Sequence, residues 1–133
     1  MCVKDYFYGI FMEALPVVRQ FLTTKQRAEL LENGKTHFAN REVDPVPVAR
    51  LFTPDAHAVW LLAALDPANC DTAWGLIDIG IGMPQLGTVK LSDLTAIVGP
   101  HKRPVASDRH FQTSQPMSMH LRRAKRDGSI VDV

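Results

Sequence analysis

Apolar residues recur three and four positions apart at the start of the chain: Val3, Phe7, Ile10, Phe11, Ala14 and Leu15. That stripe predicts an amphipathic helix, limited by Pro16. Such a stripe normally packs on a core. Its alternative is docking on a partner, because Tyr6, Phe7 and Phe11 would be costly to leave in water. A second helix is expected from about Thr24 to Asn33, extending at most to Asn40. Thr23 or Thr24 can cap it, Ala28, Leu30 and Leu31 lie among good helix formers, and Asn33-Gly34 reads as a stop or a weak point.

The pattern then changes from helical spacing to short apolar runs separated by Asp-Pro and Pro-Asp turns. Pro45 and Pro47 force an extended entry to a strand through Val46, Val48, Leu51 and Phe52, which the prolines place at a sheet edge. Ala58–Leu65 reads as a buried strand, Ala73–Ile81 as a third, and Thr88–Leu91 as a short fourth. The links are short, so neighbours are antiparallel; a parallel pair would need a longer crossover. Ser92 is expected to cap a helix from Asp93 to Val98, closed by Gly99-Pro100. Pro104–Gln112 reads as an edge strand or ordered loop. Pro116 opens a last helix, Met117–Asp127, which Gly128 ends.

These elements predict an α+β fold: one domain with an antiparallel β-meander of three to five strands, flanked by N- and C-terminal helices. Residues 1–20 read as an N-terminal extension, 21–128 as the domain and 129–133 as a tail. At 133 residues the chain can bury a real core. A net charge of +1 gives no global pull toward nucleic acid or anionic membrane. Charge is uneven locally, with an acidic middle and a basic stretch after His101. Cys2 and Cys70 form no CxxC pair and no disulfide framework, which makes a reducing cytoplasm the default location. No apolar run approaches the roughly 20 residues of a membrane span, so no membrane partner is expected.

Candidate chemistry is sparse. Asp44, Asp55, Asp66 and Asp78, with His57, are the residue types that hold Mg²⁺ or Mn²⁺ for phosphodiester hydrolysis. Three of the four border prolines and read as turn formers or caps. Asp78 lies inside an apolar strand; alternation puts it with Leu76 and Gly80 on a face read as partly exposed, beside Arg50. Asp108 and His110 would share a strand face, letting the carboxylate orient the imidazole, although a surface salt bridge explains Asp108 as well. His37, His57, His101, His110 and His120 show no zinc spacing, and no serine has a GxSxG context. Gly80-Ile81-Gly82 lacks the phosphate-loop pattern. Lys102, Arg103, Arg109, Arg122, Arg123 and Arg126 are the candidates for binding an acidic protein surface or nucleic acid, against the plainer reading of a solvated basic face. No cofactor and no metal is expected, and the balance is against an enzyme.

Asp44-Pro45-Val46-Pro47-Val48, Leu51-Phe52-Thr53-Pro54-Asp55, Trp60-Leu61-Leu62, Leu65-Asp66-Pro67 and Gly75-Leu76-Ile77-Asp78-Ile79-Gly80 together resemble the bacterial family catalogued as domain of unknown function 2958. The likeness continues through Pro84-Gln85-Leu86-Gly87, Leu91-Ser92-Asp93-Leu94 and Asp108-Arg109-His110-Phe111, and runs from about Leu22 to Leu121. The resemblance implies a setting: plasmids, phages and integrative elements, near antirestriction and maintenance genes. The expected function is therefore a non-catalytic protein-binding module acting against host defence, of the anti-CRISPR or antirestriction type, with a host or element protein as partner. The alternatives are a nucleic-acid-binding protein using the basic C-terminal face and a metal-dependent hydrolase centred on Asp78.

Overall fold

The computed structural model describes residues 22–54, 56–97 and 104–130. The N-terminal stripe, Asp55, Lys102 and Arg103 lie outside them. The fold is α+β, with helices on a single antiparallel sheet. In chain order the elements are α1 (Thr24–His37), β1 (Ala49–Phe52), β2 (Val59–Leu65), β3 (Thr72–Asp78), β4 (Gln85–Lys90), α2 (Leu91–Ala96), β5 (Ala106–Ser107) and α3 (Met117–Asp127). Spatial order in the sheet is β4-β3-β2-β1-β5. The first four strands are a meander, as their short links require. Among the described residues no helix is long and apolar enough to cross a membrane.

α1 starts with a capping box: Thr23 Oγ1 accepts from Gln26 N–H, and Gln26 Oε1 accepts from Thr23 N–H. The helix does not stop at Asn33-Gly34. It runs on to His37 because Gly34 is where it lies on the sheet; a Cβ there would sit 1.8 Å from the Leu65 carbonyl oxygen. Asn33 reinforces the contact by donating from Nδ2 to the Ala63 carbonyl at 2.9 Å.

Alternation along the strands splits the core in two. Ala49, Leu51, Trp60, Leu62 and Ala73 pack with Leu30 of α1 and Leu91 and Leu94 of α2. Leu61, Ala63 and Leu76 pack on the other face with Phe111 and with Met117 and Ala124 of α3. β2 is buried along its whole length, as its continuous apolar sequence requires.

Three expectations are corrected. β1 is not an edge strand: both prolines precede it, and β5 pairs with its outer side through Leu51↔Ser107 and Phe52↔Ala106. β3 ends at Asp78 rather than Ile81, because Gly80 and Gly82 take φ of +85° and +78°, which breaks the extended run. α2 begins at Leu91, so Ser92 lies in its first turn and is not its cap. Cys70 is buried and has φ of +54°, and Cys2 lies outside the described residues.

Candidate functional site

The conspicuous surface feature follows from where β3 stops. Beyond Asp78 the chain no longer alternates across a sheet, and its apolar side chains turn outward. Ile79 is 59% exposed, Ile81 64%, Met83 67% and, on β4, Leu86 39%. β4 is the outermost strand on this side of the sheet, and Gln85, Leu86, Thr88 and Lys90 are all exposed. Single exposed apolar residues need no explanation, but several in one short stretch beside the outermost strand among the described residues make this the candidate docking surface.

The same loop walls a pocket of about 630 Å³, whose lining includes Arg50, Phe52, His57, Asp78, Gly80, Gly82 and Gly128–Ile130. Asp78 is one of its lining residues and is only 2% exposed, which corrects the reading of a partly exposed carboxylate. The predicted face was right; the segment after α3 covers it. Asp78 Oδ1 accepts from Gly80 N–H at 2.8 Å and Oδ2 from Ile130 N–H at 2.9 Å. A buried carboxylate needs such donors, and here the backbone supplies them.

Arg50 lines the same pocket as Asp78; its guanidinium meets Asp108 at 3.5 Å, and its guanidinium carbon lies 5.2 Å from the centre of the Phe52 ring. β5 makes this contact, since Asp108 N–H donates to the Arg50 carbonyl at the end of the β1–β5 pairing. Asp108 does not orient the His110 imidazole. β5 ends at Ser107, and Asp108 Oδ1 accepts the backbone N–H of His110 in a turn, with His110 itself exposed.

The remaining acids are spread through the fold. Asp44 caps α3 through Ser118, Asp66 closes the β2–β3 turn by accepting from Ala68 N–H, and Asp71 holds Ser92. Among the described residues no three His, Cys, Asp or Glu side chains come together as a cation site. On α3, Arg122 and Arg126 are exposed and Arg123 is half-buried. Arg123 donates to Gln115 Oε1 at 2.7 Å and Arg126 pairs with Asp127 at 3.1 Å. Arg109 is exposed in the turn after β5. Among the described residues the basic candidates fall on two elements, α3 and the turn after β5.

The sequence reading missed the apolar loop. Its signal was present in Ile79-Gly80-Ile81-Gly82-Met83: glycine at every second position leaves one strand face without side chains, which suits a loop better than a paired strand.

The family model described as "Protein of unknown function (DUF2958)" matches residues 21–131, and the chain belongs to that family. No curated protein and no solved structure matches it.

Proposed function

We propose that this protein is a non-catalytic protein-binding module, and that its docking surface is the β3–β4 loop with the open edge of β4. The observation that carries the reading is the exposure of Ile79, Ile81, Met83 and Leu86 together at that edge. An extended partner segment can add to β4 through backbone hydrogen bonds while its apolar side chains cover the loop. α3 lies against β3 and β4, so exposed Arg122, Lys125 and Arg126 are carried by the neighbouring element and suit an acidic rim on the partner. Asp44, Asp66 and Asp78 each hold backbone in place, which supports binding over hydrolysis. The setting implied by the family resemblance makes it an accessory protein of plasmids, phages or integrative elements, with a partner in host defence of the CRISPR or restriction type.

Affinity capture from nuclease-treated host lysate tests this with two variants. Replacing Ile79, Ile81 and Met83 by Ser should abolish capture of a discrete protein, while replacing Arg122, Lys125 and Arg126 by Ser should only weaken it. The nucleic-acid reading predicts the reverse order, with DNA or RNA retained at low salt and lost steeply as salt rises.

A further inference from the structure

We propose that Gly128–Ile130 is a strap that closes the pocket and, through Asp78, fixes the conformation of the apolar β3–β4 loop. The strap adds regulation to the docking surface and rests on that reading only for its consequence, since the coupling itself involves no partner.

Asp78 joins two segments far apart in sequence. One oxygen holds Gly80 in the loop and the other holds Ile130 after α3. The carboxylate is 2% exposed, so losing either donor leaves a buried anion short of a partner. The two contacts therefore support each other, and release of one weakens the other. The strap leaves α3 through Gly128, at φ +76°, where an added Cβ would meet nothing within 4 Å. The loop approaches it directly: a Cβ at Gly82 would lie 3.9 Å from the Gly128 carbonyl oxygen. Beyond Gly128, Ile130 is half-buried against the cluster of Leu61, Leu76 and Ala124. One side chain and one hydrogen bond are the strap's described anchors. Releasing them uncovers the Asp78 side of the pocket and frees Ile79, Ile81 and Met83 from the conformation they hold here.

Amide hydrogen exchange read by NMR on the full chain tests the coupling. Ile130→Ala keeps the carboxylate and weakens only the strap. It should speed exchange at Gly80 and Ile81 by about tenfold along with residue 130, shift the ring resonances of His57, whose Cβ lies 3.1 Å from where a Gly80 Cβ would stand, and leave Leu62 in β2 unchanged. Asp78→Ala, which removes both acceptor oxygens, should release both segments together. If Ile130→Ala speeds exchange at residue 130 alone, with Gly80, Ile81 and His57 unmoved, the strap does not control the loop. That outcome would leave the protein-binding reading standing, whereas failure of loop variants to lose a partner would leave the strap standing.

Discussion

Asp71 holds Ser92 with both carboxylate oxygens: Oδ1 accepts the Ser92 N–H at 2.9 Å and Oδ2 the Ser92 hydroxyl at 2.7 Å. Sheet register makes this possible. Thr72 pairs with Lys90, so Asp71 faces the point where β4 becomes α2, and its own carbonyl accepts from Leu91 N–H. The same arrangement recurs at α3. Asp44 accepts the N–H and the hydroxyl of Ser118, while the neighbouring Pro45 carbonyl accepts from Met117 N–H. In each case a buried apolar residue opens the helix and a serine follows it. An aspartate distant in sequence satisfies the first turn and places negative charge at the positive helix end.

Removing these caps has a defined cost. Asp44→Ala and Asp71→Ala should each destabilise by about 1 kcal/mol, the usual size of an N-cap loss. In a double-mutant cycle with Ser118→Ala or Ser92→Ala, most of that loss should already be present in the single variants. Denaturant midpoints at constant slope check this.

Gly34 gives a prediction with two opposing terms. Gly34→Ala gains about 1 kcal/mol of helix propensity. Against that stands a Cβ 1.8 Å from the Leu65 carbonyl oxygen, a backbone atom of the central sheet that cannot swing aside. Overpacking of this kind costs on the order of 3 kcal/mol, so the variant should be destabilised by about 2 kcal/mol or more, read by chemical denaturation. The same alanine at an exposed helix glycine would stabilise.

Acid should destabilise the fold well before carboxylates protonate. His37 is 1% exposed, its ring lies 4.0 Å from Trp74, and neither ring nitrogen has a hydrogen-bond partner among the described residues. Burial, then the charge of Arg41, pushes its pKa below the usual histidine value. His120 is also lowered, first by burial and then by Arg123, against a smaller opposing effect of its hydrogen bond to the Gln115 backbone. Both histidines bind protons more readily when unfolded. Stability is therefore full above about pH 6.5 and is lost as pH falls below that through the folded-state values. Thermal melts at pH 7.5 and 5.0 should show the lower midpoint at pH 5.0, and His37→Phe should flatten part of that slope.

The exposed β3–β4 loop should be separable from the fold. Ser at Ile81 or Met83 removes side chains that are 64% and 67% exposed, so stability should stay within about 0.5 kcal/mol of wild type. Leu30→Ala, fully buried, should cost about 3 kcal/mol. Calorimetry on the two classes distinguishes a functional surface from core.

What could be read in advance divides by range. α3 was legible because Pro116 and Gly128 are local start and stop signals, and its span matches expectation from Met117 to Asp127. The strand order of the meander followed from short links. The interior position of β1 was not legible, because it depends on β5, a two-residue strand from far along the chain. The burial of Asp78 was hidden for the same reason: its cover arrives with Ile130. The role of Asp44 was half legible. A cap was a sound reading of the residue type, but the helix it caps begins at Met117. The apolar loop was misread as strand because Ile79 and Ile81 continue the period of β3, and the positive φ of Gly80 and Gly82 outweighs that period.

The central claim is that the β3–β4 loop is covered by a partner protein, and site-specific photocrosslinking in host cells tests it most directly. A benzophenone side chain placed at Ile81 should give one discrete protein adduct, absent when the probe is placed at exposed Glu29 on α1. Equal, diffuse labelling from both positions, or adducts from Glu29 alone, would contradict the account.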